Sequence, residues 1–139
     1  MVRFLLDTNA LSEPIRAKPN ATFMRRLREH PDEVAIASIT WHEALFGMER
    51  MPAGKRQDLV RAYLFDTVAS STPILPYDSR AAGAHARERA RLERAGQTPP
   101  FADGQIASVA MVNDLTLVTA NVKDFAHFDG LTVKSWFRR

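Results

Sequence analysis

Oxygen-bearing side chains stand where the apolar segments of this sequence end. Asp7 directly follows the first apolar segment, and Asn121 follows another segment late in the chain. Glu43 and Asp103 each fall in the first turn of a predicted helix. When such segments are the strands of a parallel sheet, the side chains that follow them meet outside one edge of the sheet. We therefore expect these four side chains, together with Asp124, to form one acidic group.

An acidic group of this kind favours a bound divalent cation. Two carboxylates about 4 Å apart repel each other by roughly 4 kcal/mol at an effective dielectric constant of 20, so a cluster that stays ionised needs a compensating positive charge. The chain has no cysteine, which excludes thiolate ligands. An all-oxygen ligand set selects a hard cation, Mg²⁺ or Mn²⁺.

Each acidic residue also has a purely structural interpretation. Asp7 can end a strand and cap the polar turn that residues 7–9 predict, and Asp103 can face the positive end of a helix dipole. Glu43 stands three residues after Thr40, which is the spacing of a capping box at the start of a helix. These interpretations account for the residues one at a time, whereas a metal site accounts for their shared position.

Other catalytic motifs are incomplete in this sequence. The glycine-rich dinucleotide turn and the phosphate-binding Gly-x-x-x-x-Gly-Lys-Ser/Thr loop are absent. His42-Glu43 begins like a zinc-protease helix, but Phe46 stands where the second histidine is required. No Gly-x-Ser-x-Gly segment presents a serine nucleophile. We interpret the histidines as solvated or structural residues: His30, His42, His85 and His127.

The elements that must position these side chains alternate along the chain. Apolar runs predict strands at residues 2–6, 34–37, 74–75, 116–119 and 131–133. Amphipathic patterns and capping residues predict helices at residues 20–29, from 38 onward, and at 55–69, 79–95 and 103–113. This alternation predicts an α/β fold with a parallel sheet of four to five strands and helices on both faces. We expect a single domain, residues 1–139.

The composition is typical of an ordinary folded protein. Of 139 residues, 45% are hydrophobic and 25% are charged, which excludes a disordered tail, a fibrous repeat and a disulfide-stapled miniprotein. The lack of cysteine favours a reducing compartment, the cytoplasm. The apolar N-terminal stretch is too short for a signal peptide, and no window reaches the roughly 18 to 20 apolar residues of a membrane helix. The net charge of +3 does not by itself indicate nucleic-acid binding.

Four motifs, in order along the chain, resemble those of PIN-domain ribonucleases. They are Leu5-Leu6-Asp7-Thr8-Asn9, Ser38-Ile39-Thr40-Trp41-His42-Glu43, Ala102-Asp103-Gly104-Gln105-Ile106-Ala107 and Val118-Thr119-Ala120-Asn121-Val122-Lys123-Asp124-Phe125. The resemblance is closer to the VapC toxins of bacterial toxin–antitoxin pairs, and their FitB branch is similar in the segment Leu11-Ser12-Glu13-Pro14. It covers essentially the whole chain.

The resemblance implies a PIN-like domain with an Mg²⁺-dependent acidic cleft that cuts single-stranded or loop RNA. Asp7 and Asp103 are then metal ligands, and Glu43 completes the acidic set directly or through water. Asn121 stands where some members have a fourth aspartate, so it joins the catalytic set without adding charge. Further residues are expected to support the ligands: Thr8, Asn9, Thr119 and Asp124.

The resemblance also implies an RNA substrate, a VapB-like antitoxin, contact with DNA only through that antitoxin, a homodimer and no membrane association. A phospho-acceptor module would need adjacent acidic residues after the first strand, where Asp7 is solitary. An aspartate phosphatase would need Asp-x-Asp, and Asn9 fills the second place. A catalytically weak PIN-like module that acts mainly in a DNA-binding complex with its antitoxin stays open, because Asn121 lacks charge.

Two kinds of surface are candidates for these partners. Arginines recur at helical spacing between residues 80 and 94 and cluster between residues 25 and 28, so both groups are candidate RNA contacts. Glutamates share the first of these helices, and a solvated mixed-charge face is an equally open interpretation. In the helix that starts near residue 38, Ile39 and Phe46 lie off the main apolar stripe, on the side of Glu43. They are either candidate anchors for the antitoxin or residues buried by their neighbours.

Overall fold

Five short parallel strands form the centre of the protein in a computed structural model that describes residues 1–138. The strands are β1 (Phe4–Leu6), β2 (Val34–Ala37), β3 (Ile74–Leu75), β4 (Thr116–Val118) and β5 (Val133–Lys134). They are hydrogen-bonded in the order β3-β2-β1-β4-β5, and each neighbouring pair is parallel. Parallel sheets are covered on both faces, which explains the uninterrupted apolar character of β1 and β2.

Helices connect the strands and cover the sheet. Their bounds are α1 (Thr8–Ser12), α2 (Ala21–Glu29), α3 (Ser38–Glu49), α4 (Lys55–Ala62), α5 (Ala69–Ser71), α6 (Ser79–Arg94), α7 (Phe101–Val112) and α8 (Val122–Phe125). A 3₁₀ turn at Glu13–Ile15 follows α1, and a π-helical turn at Tyr63–Val68 joins α4 to α5. Asn20 and Asp78 cap α2 and α6 with side-chain oxygens, which satisfies N–H groups that the helices leave unpaired.

Successive strand residues point to opposite faces of the sheet, and each face has its own apolar core. On one face, Leu5 and Leu117 pack among buried residues of α6 and α7. On the other face, Phe4 and Leu6 pack with α1, α2, α3 and the π-helical turn. The predicted α/β class with helices on both faces is therefore confirmed.

The direction in which the chain winds changes at β1. From β1 the chain moves to β2 and β3 on one side, and it then crosses through α6 and α7 to β4 and β5 on the other. Leu6 of β1 pairs with Ile36 of β2 and with Val118 of β4, so β1 and β4 end level and β2 extends one residue further. In open parallel sheets such a switch point is where ligands bind.

Most predicted elements are confirmed, with shifts at their ends. The first strand is shorter than predicted, and α7 begins at Phe101, two residues earlier. The helix predicted at residues 55–69 continues to Ser71 and contains the π-helical turn. The polar turn predicted at residues 7–9 is wrong, because Asp7 caps the short helix α1. Within residues 1–138, no helix is both long enough and apolar enough to cross a membrane.

The capping box predicted from Thr40 and Glu43 is also wrong. Helix α3 begins at Ser38, its N-cap is Ala37, and no side chain caps it. Thr40 is fully buried, and its hydroxyl has no hydrogen-bond partner within residues 1–138. Glu43 instead accepts a hydrogen bond from Thr8, the first residue of α1. The carboxylate of Glu43 is thus directed to the sheet edge and not to its own helix.

Candidate active site

Asp7 lies at the centre of the sheet edge, immediately after β1. The pairing of Leu6 with Val118 places Asp7 beside Thr119, the residue that follows β4. The Thr119 hydroxyl donates to Oδ2 of Asp7 at 2.5 Å, and the Ala10 amide donates to Oδ1 at 2.8 Å. Asp7 is 6% exposed. The two hydrogen bonds fix this buried carboxylate and leave a further lone pair on each oxygen.

Glu43 approaches the same edge from α3, the helix that follows β2. Its side chain is half-buried, and the Thr8 hydroxyl donates to its Oε1 at 2.6 Å. Because Thr8 directly follows Asp7, this hydrogen bond holds α3 against the end of β1. The hydrogen bond uses only Oε1 of the Glu43 carboxylate. Because it fixes the orientation of the carboxylate, it also fixes the position of Oε2.

Asp103 comes from the first turn of α7, which packs against α3. Burial raises the pKa of Asp103, and negative charge on its neighbours raises it further. In order of size, those neighbours are Asp124, Glu43 and Asp7. Coulombic coupling of this kind requires proximity. Glu43 and Asp124 act in this way on both Asp7 and Asp103, and we call Asp7, Glu43, Asp103 and Asp124 the acidic cluster.

The acidic cluster has a strongly negative environment. Burial raises the pKa of Asp7, and the hydrogen bonds from Thr119 and Ala10 offset this in part. The charges of Glu43 and Asp124 raise the same pKa. Among the ion pairs formed within residues 1–138, none involves a carboxylate of the cluster. A bound cation would relieve both the desolvation and the repulsion.

The acidic cluster is an open site and not a closed metal cage. In the part of the chain that the structure describes, no three His, Asp or Glu side chains converge closely enough to enclose an ion. The donor set still fits Mg²⁺, because that ion usually keeps several waters and is held by one or two carboxylates plus substrate phosphates. A hydrated divalent cation is therefore the group that these residues are suited to hold.

The other predicted site residues lie around the cluster. The backbone N–H of Asn121 donates to the Thr119 hydroxyl at 3.0 Å, and the residue as a whole is exposed. Asp124, in α8, and Asn9, in α1, are exposed as well. Sequence reasoning named Thr8 but missed its hydrogen bond to Glu43, because the bond joins residues separated by 35 positions and no local pattern signals it.

The arginines of α6 that were predicted as RNA contacts differ in whether they bond to other groups of the protein. On α6, Arg80 donates to the last carbonyl of α7 at 2.9 Å, and Arg91 forms an ion pair with Glu88 at 2.8 Å. Arg87 and Arg94 are exposed on the same helix. The mixed-charge interpretation thus holds for part of this helix, and four of its arginines are exposed to solvent: Arg80, Arg87, Arg89 and Arg94.

The two predicted antitoxin anchors on α3 differ in exposure. Phe46 is 55% exposed; the His42 ring lies parallel to it at 6.2 Å, and the Arg50 guanidinium lies over it at 5.1 Å. Ile39 packs against the core that α6 and α7 share with the sheet. Phe46 is therefore a surface residue, whereas Ile39 belongs to the core.

Known proteins resemble this chain in sequence and in fold over nearly its whole length. Residues 4–131 match the family model of the PIN domain. The tRNA(fMet)-specific endonuclease VapC of Shigella flexneri is 31% identical over 136 residues, which cover 98% of this chain and 99% of that protein. The toxin FitB of Neisseria gonorrhoeae is 30% identical over 135 residues, covering 95% and 97%. The DNA-bound VapBC structure from Salmonella typhimurium aligns with a TM-score of 0.86 and 29% identity, over 98% of this chain and 99% of that one.

A parallel sheet whose switch point carries a carboxylate cluster defines the chain as an α/β protein with a candidate metal-dependent site. The chain belongs to the PIN-domain family, and its relatives include VapC ribonucleases and FitB toxins. The predicted family is thereby confirmed. Nucleases of this family generally use a divalent metal ion, which agrees with the oxygen-only donor set.

Proposed function

We propose that this chain is an Mg²⁺-dependent endoribonuclease, the toxin of a VapBC-type toxin–antitoxin pair acting in the cytoplasm. One observation carries the proposal: the acidic cluster lies at the switch point of the sheet, and burial and mutual repulsion raise the pKa of two of its carboxyls. Homology to VapC endonucleases over nearly the whole chain supports hydrolysis of RNA as the reaction.

The proposed ligands are Asp7 and Asp103, with Glu43 completing the set directly or through water. Asp7 suits this role because each of its oxygens accepts one hydrogen bond and keeps a lone pair for a cation. Thr119 and Thr8 hold the carboxylates of Asp7 and Glu43 in fixed orientations. Mn²⁺ has the same preference for oxygen ligands and is expected to substitute for Mg²⁺.

Hydrolysis requires a polarised phosphate and a deprotonated water. A bound divalent cation supplies a Lewis acid and lowers the pKa of water. Glu43 is the proposed proton acceptor: Thr8 occupies Oε1, and Oε2 would take the proton of the water that attacks phosphorus. The P–O bond to the departing ribose oxygen would break, and solvent would protonate that oxygen. Asp7 and Asp103 stay ionised while their charge is compensated. No side-chain nucleophile is needed.

Asn121 and Asp124 complete the proposed site at its rim. The side chain of Asn121 offers an amide oxygen that can accept a hydrogen bond from a water and an NH₂ group that can donate one to a phosphate oxygen, and neither adds charge. The charge of Asp124 already acts on Asp7 and on Asp103, so Asp124 is proposed to compensate for the missing fourth aspartate. Asn9, exposed beside Thr8, is proposed to support the same rim.

The proposed partners are an antitoxin, a second copy of this chain and, through the antitoxin, DNA. The structurally similar VapBC from Salmonella typhimurium was solved bound to DNA, and the relatives named VapC and FitB are toxins or ribonucleases. A basic antitoxin side chain would neutralise the acidic cluster in place of the cation. The neighbouring gene product, mixed with this chain, is expected to form a complex that no longer cuts RNA.

The decisive experiment is digestion of total RNA by the purified chain with and without Mg²⁺, with fragment ends mapped by sequencing. We expect discrete cuts that need Mg²⁺, that EDTA abolishes, and that Asp103→Asn removes. Asp66→Asn, an exposed aspartate in the π-helical turn, is the matched control and should cut like the parent. Cleavage that persists in EDTA would reject the Mg²⁺ dependence, and Mg²⁺-dependent cleavage that Asp103→Asn leaves unchanged would reject the site.

A second candidate is a catalytically weak module that acts mainly in a DNA-binding complex with its antitoxin. The uncharged Asn121 favours it, because the rim then holds the cation less tightly. On this account the antitoxin complex binds promoter DNA, while the free chain leaves RNA intact at millimolar Mg²⁺. The RNA digestion above separates the two candidates directly.

A further inference from the structure

A buried histidine lies behind the acidic cluster, outside the proposed metal site. His85, on α6, is 2% exposed. Its Nδ1 lies 2.8 Å from the hydroxyl of Tyr77, whereas its Nε2 is buried without a hydrogen-bond partner within residues 1–138. A buried polar atom without a hydrogen-bond partner lowers the stability of the fold. The position of this ring therefore calls for an explanation.

The unpartnered side of the ring rests on a glycine of α7. A Cβ atom at Gly104 would lie 2.2 Å from Nε2 and 2.6 Å from Cδ2 of His85. No residue other than glycine allows α7 to approach the imidazole so closely. Gly104 directly follows Asp103, the member of the acidic cluster that α7 supplies. The position of the imidazole thus sets how near the first turn of α7 lies to α6.

The same ring is linked to α3. The Tyr77 backbone N–H donates to Oγ of Ser38 at 3.2 Å, and Ser38 is the first residue of α3. Ser38, Tyr77, His85 and Gly104 therefore form a continuous series of contacts between the starts of α3 and α7. These two helices carry Glu43 and Asp103, so the series spans the acidic cluster from behind.

The protonation state of His85 follows from its contacts. A hydrogen on Nε2 would point at the Gly104 Cα with no acceptor, so a hydrogen on Nδ1, donated to the Tyr77 oxygen, is favoured. Burial lowers the pKa of His85, and the charge of Arg89 lowers it further. The Phe101 ring covers the imidazole at 4.8 Å. The ring is therefore a neutral, shielded spacer.

We propose that His85 is a positioning residue: seated on Gly104 and held by Tyr77, it sets the placement of the Asp103 carboxylate relative to Glu43 and Asp7. This inference rests on the proposed function. The Tyr77 hydroxyl fixes the rotation of the ring, and the bare Cα of Gly104 lets α7 rest directly on it. In the proposed role, small displacements of the ring change the cluster and hence the affinity for the cation.

The first test is a steric rescue. Gly104→Ala adds a methyl group that the imidazole cannot accommodate, so we expect Mn²⁺ affinity, measured by calorimetry on the purified chain, to fall at least tenfold and RNA cleavage to fall with it. His85→Ala alone removes the spacer, so we expect it to lower Mn²⁺ affinity three- to tenfold. In the double variant the added methyl meets no ring, so its Mn²⁺ affinity should match that of His85→Ala and exceed that of Gly104→Ala. Gly83→Ala, on α6, is the matched control, because its added methyl meets only ordinary contacts.

The second test leaves the packing unchanged. Tyr77→Phe removes the hydroxyl that orients His85 but keeps the ring of residue 77, and we expect a three- to tenfold loss of Mn²⁺ affinity. Because Nδ1 of the buried imidazole then has no partner, the unfolding temperature should fall while the chain stays folded. Hydrogen exchange of the amides at residues 104–107, whose hydrogen bonds close the first turn of α7, should rise in Gly104→Ala and return in the double variant. Unchanged Mn²⁺ affinity in Gly104→Ala or in His85→Ala, or a double variant that binds Mn²⁺ no better than Gly104→Ala, would overturn the positioning role.

The two proposals fail in different ways. If the parent chain neither binds Mn²⁺ nor cuts RNA, the proposed function is rejected, and hydrogen exchange alone then decides whether His85 holds the first turn of α7. If the parent chain is active but these substitutions change neither the amide hydrogen exchange nor the Mn²⁺ affinity, only the positioning role is rejected.

Discussion

At the scale of single residues, Asp7 shows how the fold keeps a carboxylate in an unfavourable place. The side chain is buried and near other negative charges, and both conditions raise its pKa. The hydrogen bonds from Thr119 and Ala10 stabilise the ionised form but do not cancel the burial. The residue is therefore held ready for a cation at a cost in folding free energy, as functional sites often are.

Replacing either of two carboxylates separates the functional role from the structural one. Asp7→Asn and Asp103→Asn are each expected to reduce RNA cleavage at least a hundredfold, because each removes a proposed ligand. The unfolding temperature should hold or rise, since each change relieves like-charge crowding. Cleavage and thermal melting are measured on the same preparations. A variant that keeps near-parental Mg²⁺-dependent cleavage would remove that residue from the site.

Asn121 provides a test in the opposite direction. Asn121→Asp adds an anionic oxygen at the rim, so Mg²⁺ or Mn²⁺ affinity should rise by about tenfold, which is ~1.4 kcal/mol. Ala53→Asp adds the same charge on an exposed loop and controls for long-range electrostatics. Calorimetric titration compares the three chains. Equal affinities in the parent and in Asn121→Asp would place Asn121 outside the metal site and direct attention to Asp124.

At the scale of elements, the sequence predicts what is periodic and misses what is short or non-local. The long helix α6, with its Asp78 cap and Gly96 at a φ of 71°, follows from local rules. Helix α1 has only five residues, too few for an apolar period to appear. The π-helical turn at Tyr63–Val68 depends on tertiary packing, including the Tyr63 hydroxyl that donates to the Leu11 carbonyl. No local signal encodes it.

The ion pair on α6 predicts a pH-dependent contribution to stability. Glu88 accepts hydrogen bonds from Arg91 and from the Asp129 amide, and these lower its pKa below 4.5. A lowered folded-state pKa stabilises the fold above the unfolded-state value, and that stability is lost as pH falls through the folded-state value. Glu88→Gln should cost about 1 to 2 kcal/mol at pH 7, and the cost should shrink steadily below about pH 4.5.

Denaturant unfolding at several pH values checks this expectation. Glu93→Gln, an exposed neighbour on the same helix, is the matched control and should unfold like the parent at each pH. A Glu88→Gln deficit that stayed constant down to pH 3 would mean that packing, and not charge, is lost in the variant.

At the scale of the whole molecule, the strand order is what brings the site together. Asp7 and Thr119 are separated by 112 positions, yet they hydrogen-bond because β1 and β4 are neighbours. The alternation of elements predicts a parallel sheet, but it does not say which strands are adjacent, since pairing depends on long-range packing of both faces. The motifs named the acidic residues, whereas the register that aligns Leu6 with Val118 came only from the structure.

The exposed face of α3 adjoins the acidic cluster. Phe46 lies one turn beyond Glu43 and is 55% exposed, with Arg50 over its ring. A partner that covers this ring would also sit beside the Glu43 carboxylate, so apolar anchoring and charge neutralisation can occur in one contact. Interface energy concentrates on aromatic anchors of this kind.

Phe46→Ala is therefore expected to weaken binding of the neighbouring gene product by about 2 kcal/mol or more. The loss in free energy of unfolding should stay well under the roughly 3 to 5 kcal/mol of a core phenylalanine, because the ring is largely in solvent. Leu59→Ala on α4, 49% exposed, is the matched control for losing an exposed apolar side chain. Affinity is measured by calorimetry and stability by denaturant unfolding of the isolated chain. Sedimentation of the same variant shows whether the Phe46 ring contacts a second copy of the chain instead. Unchanged antitoxin affinity together with a weakened dimer would assign Phe46 to the dimer interface and refute the antitoxin contact.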